Sequence, residues 1–138
     1  MKCIILRSAG VGAALSYQLA LQGKKRLIAC ISAPSLQRGV QEISTMIRYN
    51  LNPLILVLNS YEDHELKNWH YARLPDVFNG IDGKGWGWRA KSCQEFSDIF
   101  RVALKHDDVS LLELVIDQTD ASQELLRPVK IKNKGETP

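Results

Sequence analysis

Apolar and polar positions fall into blocks along this chain, and most blocks carry a readable period. Lys2 to Leu6, Arg26 to Ile31 (RLIACI), Leu54 to Leu58 (LILVL), Trp88 to Lys91 and Val109 to Ile116 (VSLLELVI) are short and rich in aliphatic residues, which predicts strands. Helical patterns lie between them. Val11 to Gln22 is rich in Ala and Leu, with Gly23 where a C-terminal cap glycine belongs. Val40 to Tyr49 sets Val40, Ile43 and Ile47 at helical spacing, with Asn50 as its stop. Tyr71 to Phe78 reads as a short helix whose start Pro75 limits. Ser92 opens a capping box with Glu95, and Phe96, Ile99, Phe100, Ala103 and Leu104 then form one helical face.

The remaining stretches punctuate this order. Asn59 to His70 is polar and follows neither period, so it predicts a loop; Asn79 to Gly87 holds four glycines and must turn. Strands alternating with helices across short connections predict an α/β fold: three layers, a mostly parallel sheet with helices on both faces. The unbroken LILVL run suits a strand covered on both sides. Such sheets take ligands beyond the carboxyl ends of their strands, which here are Ser32 to Gln37 and Asn59 to Glu65.

Composition narrows the partners. The 138 residues suit one compact domain, and 24% charged with 45% hydrophobic residues is globular composition. A net charge of +3 does not argue for nucleic acid, because much of the excess sits in Lys24, Lys25 and Arg26 and in Lys130, Lys132 and Lys134. A solvated turn and a frayed end are the expected settings of those groups. Cys3, Cys30 and Cys93 show no CxxC spacing and cannot all pair, so reduced thiols and a cytoplasmic location are expected. No apolar run exceeds five residues, so no membrane helix is expected, and Arg7 interrupts the one stretch that resembles a secretory signal.

Three groups of residues invite a chemical reading. Gly10-Val11-Gly12 follows an apolar run and opens a helix, as a dinucleotide-binding turn does. Leu15 stands in the place of the third glycine, however, and the next strand ends at Ser32 and Ala33 without a carboxylate for a ribose. Close helix packing is the expected role of these glycines, and a nicotinamide-cofactor oxidoreductase is the weaker alternative. Glu62, Asp63, His64 and Glu65 form an ionisable patch, read as a solvated loop. His64, His70 and His106 do not cluster with a thiol or hydroxyl, and Trp69, Trp86 and Trp88 are expected to fill core or pack the loop.

A longer pattern runs through the whole chain. Gln41-Glu42-Ile43-Ser44-Thr45-Met46-Ile47-Arg48-Tyr49, then Leu51-Asn52-Pro53 and Val57-Leu58-Asn59, resembles pyruvate decarboxylase within its thiamine-diphosphate-binding C-terminal domain. Val11-Gly12-Ala13-Ala14-Leu15 and Ile28-Ala29-Cys30-Ile31 resemble the preceding helix and strand of that family. Lys67-Asn68-Trp69, Phe78-Asn79-Gly80, Ala90-Lys91 and Glu124-Leu125-Leu126 follow in the family's order. The resemblance covers residues 9 to 126, with 127 to 138 left as an expected mobile tail.

The resemblance implies the thiamine-diphosphate-binding fold and non-oxidative decarboxylation of a 2-oxo acid to an aldehyde. The cofactors it implies are thiamine diphosphate and Mg2+, the organic one acting as ylid and electron sink. In the family a Gly-Asp-Gly turn and a pair of asparagines hold the magnesium against the diphosphate, in keeping with that ion's demand for oxygen ligands. Here Ser32-Ala33-Pro34-Ser35 replaces Gly-Asp-Gly-Ser, and the asparagine pair becomes Asn59-Ser60. Ser35 and Asn59 are the positions expected to retain cofactor contact; no catalytic residue and no metal ligand transfers. The loop after Ser60 is shortened by roughly a dozen residues and its active-site glutamate goes with it, while Arg7 and Ser8 replace an Ile-Gly pair. A chain of this length leaves no room for the family's pyrimidine-binding domain, which supplies the polarising carboxylate and closed cavity. The expectation is an incomplete, inactive cofactor-binding domain, self-associating or docked on a full-length decarboxylase, with exposed apolar patches where helices once faced other domains.

Overall fold

The computed structural model describes residues 3–7, 10–60 and 67–117. Ser8, the ionisable patch at 61–66 and everything from 118 onward, including the sequence-predicted tail, lie outside the described residues, as does the side chain of Arg7. Five strands, β1 (Cys3–Arg7), β2 (Arg26–Ser32), β3 (Leu54–Asn59), β4 (Trp86–Ala90) and β5 (Ser110–Val115), form one sheet in the order β1-β2-β3-β5-β4, and every described pairing is parallel. The helices are α1 (Val11–Leu21), α2 (Ala33–Arg38), α3 (Gln41–Arg48), α4 (Leu74–Phe78) and α5 (Cys93–Ala103), with a 3-10 turn at Tyr71–Arg73 leading into α4.

The strand order explains the layering. From β1 to β3, and on to β4, the chain steps across the sheet in one direction; from β4 to β5 it steps back. With a fixed crossover hand, that reversal moves the connecting helix to the opposite face. Accordingly α1, α2, α3 and α4 supply Val11, Ala14, Leu36, Ile43, Met46 and Leu74 to one core, against Leu27, Ala29, Ile31, Ile55, Val57 and Leu111 of the strands. On the other face α5 packs Phe96, Ile99, Phe100, Ala103 and Leu104 against Ile28, Leu54, Leu56 and Leu112. Each fully buried Leu or Ile contributes roughly 1.5–3 kcal/mol of transfer free energy. The expected face of α5 is therefore the one observed.

Local signals set several boundaries. Gln22 closes α1 with φ 47 and Gly23 follows with φ 72, the left-handed geometry that the glycine was expected to serve. Asn50 adopts φ 49 at the end of α3. The Ser92 hydroxyl accepts from the Glu95 amide at 3.2 Å, while the Glu95 carboxylate reaches the amide of Lys91 at 2.7 Å, one residue before the cap position that the capping box names.

Other expectations are corrected. Ser32 to Gln37 is not simply the end of a strand: Ala33–Arg38 coils into α2, with Pro34 in its first turn, where a missing N–H costs nothing. Strand β4 begins at Trp86, two residues before the predicted Trp88, because the Gly85 main chain is clasped by the Asn79 side-chain amide at 2.6 and 2.8 Å and the turn ends there. Gly10 and Gly12 do not serve close packing, since a methyl group built on either meets nothing within 4 Å. Trp88 does not fill the core, being 50% exposed, while the exposed Trp69 packs within its loop against Tyr71, one of the two expected roles. Trp86 does pack against the second core, as expected, and stacks on His106, ring centres 4.9 Å apart.

Arg26 is the largest departure. Far from lying in a solvated turn, it is 1% exposed. Its guanidinium donates to the carbonyls of Asn52 (2.7 Å), Ala103 (2.6 Å) and Asp108 (3.2 Å) and to the Ser110 hydroxyl (3.1 Å). Burial lowers its pKa, opposed by the nearby Asp107, Cys3 and Asp108, and arginine's intrinsic basicity keeps it charged at neutral pH. Arg26→Met should cost about 3 kcal/mol in urea denaturation, because the Asn52, Ala103 and Asp108 carbonyls and the Ser110 hydroxyl each lose a hydrogen bond.

Candidate functional site

The carboxyl ends of β2 and β3 meet beside α2, and the residues singled out by resemblance come together there. Ser32 ends β2 and donates its hydroxyl to that of Ser35, at 3.0 Å, inside the first turn of α2. Between them stands Ala33, 6% exposed, whose methyl belongs to the core, and Pro34, which has no N–H to offer. Asn59 closes β3 and is buried, with Ser60 exposed just after it.

Asn59 does not stand alone. Its side-chain nitrogen donates to the Glu113 carboxylate on β5 at 2.8 Å and to the Asn68 side-chain oxygen at 3.0 Å. Glu113 is 1% exposed. Its second oxygen accepts from the Ala72 amide at 3.3 Å, and Arg89, its register partner on β4, forms an ion pair with it at 3.4 Å. Sequence reasoning missed Glu113 and Arg89 because each reads as an ordinary polar position in a strand. The available signal was a carboxylate interrupting the apolar run LLELV, a position that must find partners if its neighbours are buried.

The same network fastens the segment 67–73 across this edge. Gln37 on α2 donates to the Lys67 carbonyl at 2.8 Å and to the Tyr71 hydroxyl at 2.7 Å. Tyr71 is buried in the main core, with Trp69 tilted against it at 6.3 Å. On the far side the Ala72 carbonyl lies directly against the α-carbon of Gly87, leaving no room for a β-carbon there. Gly87 is thus required by close approach of two backbones. Four elements, α2, β3, β4 and β5, grip one short piece of chain.

The donor set decides what this edge can hold. Magnesium usually binds one or two carboxylates together with phosphate oxygens. Among the described residues, no group of three or more His, Cys, Asp or Glu is placed to hold a metal ion. At the sheet edge itself, a buried methyl occupies position 33, and Glu113 is already engaged by Asn59, Ala72 and Arg89. These residues do not fit a magnesium ion. For an anion the edge offers the neutral hydroxyls of Ser32, Ser35 and Ser60. A second hollow, about 300 Å³, lies at the carboxyl ends of β4 and β5, lined by Ala90, Lys91, Phe96 and Leu114 among others.

Comparison with solved proteins first defines the fold. The chain shares its fold with a thiamine diphosphate-dependent 4-hydroxybenzoylformate decarboxylase from Rhodococcus jostii RHA1 (TM-score 0.66, 20% identity, 78% of this chain and 23% of that one). A benzoylformate decarboxylase from Polynucleobacter necessarius matches similarly (TM-score 0.65, 13% identity, 78% and 23%). No protein-family model matches the chain.

Sequence then identifies the homologues as pyruvate decarboxylases. Pyruvate decarboxylase 2 of Oryza sativa subsp. indica is 35% identical over 129 residues, 84% of this chain and 21% of that protein. The pyruvate decarboxylase of Neurospora crassa is 33% identical over 128 residues, 84% of this chain and 22% of its own length. The chain therefore spans about a fifth of the relatives it matches, and it resembles their thiamine-diphosphate-binding domain. These matches do not favour the nicotinamide alternative. No described helix is long and apolar enough to cross a membrane.

Because Gln37 supplies two of the bonds holding 67–73, Gln37→Ala should cost about 1–2 kcal/mol. Hydrogen exchange should show the accelerated amides confined to that segment and its contacts on α2.

Proposed function

We propose that this chain is a thiamine-diphosphate-binding-type domain that keeps the decarboxylase scaffold while its magnesium anchorage is reduced, so that as an isolated chain it does not decarboxylate a 2-oxo acid. The observation that carries this reading is the contrast between ordered similarity over 84% of the chain and a buried alanine methyl at position 33. When bound, thiamine diphosphate supplies the ylid and electron sink for decarboxylation. This chain's own part is to receive the diphosphate end. Ser35 would offer a hydroxyl at the head of α2, and Asn59 would fix the end of β3. With neutral hydroxyls in place of a carboxylate-bound cation, the charge on the diphosphate is poorly compensated.

The proposal extends to domain extent and setting. Residues 1–126 form the cofactor-binding-type unit, in the cytoplasm, a setting in keeping with Cys3, Cys30 and Cys93 forming no disulfide with one another. Association with a second copy or with a longer decarboxylase subunit belongs to the same proposal. Ile5, 61% exposed on strand β1, and the exposed Leu58 at the end of β3 give the sheet apolar surface on which such contacts would form.

Calorimetric titration with thiamine diphosphate, with and without Mg2+, tests the central claim. The unmodified chain should show no magnesium-dependent tightening. Ala33→Asp combined with Ser60→Asn should gain at least about tenfold in affinity on adding Mg2+, because a carboxylate and an amide oxygen return to the sheet edge. Magnesium-dependent tightening in the unmodified chain would overturn the proposal.

A further inference from the structure

The buried carboxylate of Glu113 is not explained by the resemblance or by the proposed cofactor. A single ionisable group this deep in a parallel sheet is costly unless every oxygen is satisfied. Its partners come from three separate pieces of chain: the Asn59 side chain at the carboxyl end of β3, the Ala72 amide in the 67–73 segment and Arg89 on β4. None of these contacts is local in sequence, and two of the three lie in the edge where the candidate site sits. An ionised carboxylate only accepts hydrogen bonds. It therefore dictates which end of the Asn59 amide faces β5: the nitrogen must, and the same nitrogen then reaches Asn68.

We propose that Glu113 is a positioning residue, whose charge sets the orientation of the Asn59 amide and pins residues 68–72 over the carboxyl end of β3. The role does not depend on whether thiamine diphosphate binds. It makes the geometry of this edge a property of the protein's own charge pattern, present before any ligand arrives. Arg89 balances the charge from the neighbouring strand, so that the carboxylate serves Asn59 and Ala72 without remaining an uncompensated ion.

A donor–acceptor exchange tests this bond specifically. Asn59→Asp sets two carboxylates against each other and should strongly lower the urea midpoint. Glu113→Gln alone should lower it less, since its amide oxygen can accept from only one of the two donors. The double variant N59D/E113Q restores a bond of inverted polarity, with Gln donating to Asp, and should recover at least about tenfold in the folding constant over N59D. Losses that simply add in the double variant would overturn the proposal. If N59D does not fold, hydrogen exchange in E113Q gives an independent reading. The Ala72 amide should exchange about tenfold faster, while the Leu27 amide, held by the Gln18 side chain at 3.0 Å, stays unchanged. Equal acceleration at both amides, or none at either, would overturn it.

Discussion

The arrangement of the sheet depends on a guanidinium buried at its amino end. Arg26 opens β2, and its donors reach the carbonyl before Pro53, the last helical carbonyl of α5 and the approach to β5. The Ala103 and Asp108 carbonyls also accept from the His106 amide and the Ser110 hydroxyl, each at 3.2 Å, so the guanidinium adds a second donor to each and supplies one to Asn52, at about 0.5–1.5 kcal/mol net per bond. Hydrophobic burial drives the two cores together but does not choose the height at which helix and strands dock. A fork of donors with fixed geometry does choose it. Gln18 extends the same logic from α1, accepting from Leu27 and donating to the Asn52 side chain at 3.1 Å, so that one end of the β2–β3 pair is locked by polar groups on both sides.

Glu113 performs the corresponding task at the opposite end of the sheet. The two buried charges have opposite sign, and each is surrounded by chain segments far apart in sequence. Between them the interior is aliphatic. This separation matters for the site: the amino-end network holds the scaffold, whereas the carboxyl-end network holds the edge that a ligand would meet. Ser32, Ala33 and Pro34 fall outside both networks, so the residues at the head of α2 can vary without disturbing either.

Much of the fold was legible because it rests on local signals. Aliphatic runs, a cap glycine at Gly23 and the Ser92–Glu95 pair state their roles within a few residues. A mostly parallel sheet followed from alternation and short connections. What failed to show in the sequence was whatever depends on a distant partner. Arg26 sits beside Lys24 and Lys25 and looks like part of a basic turn; only the carbonyls of Asn52, Ala103 and Asp108 make it a core residue. Gly87 looked like one more turn glycine, yet its need comes from the Ala72 carbonyl across the edge. Helix α2 was hidden by Pro34, which marks a loop in one context and a first helical turn in another. At the candidate site, family resemblance pointed to Ser35 and Asn59, which lie at the head of α2 and the end of β3, whereas Glu113 became visible only with its partners.

A metal site needs ligands that converge on one point, and an alanine at position 33 offers no such atom while fitting the packing around it. Ala33 indeed joins the core as a small apolar residue and lets α2 start directly after β2. The strap at 67–73 needs no metal, because Gln37, Asn59, Glu113 and Gly87 already account for its position. Shape at the sheet edge and affinity for a charged ligand are therefore separately encoded in this chain. Similarity of fold to the thiamine diphosphate-dependent decarboxylases follows from the first.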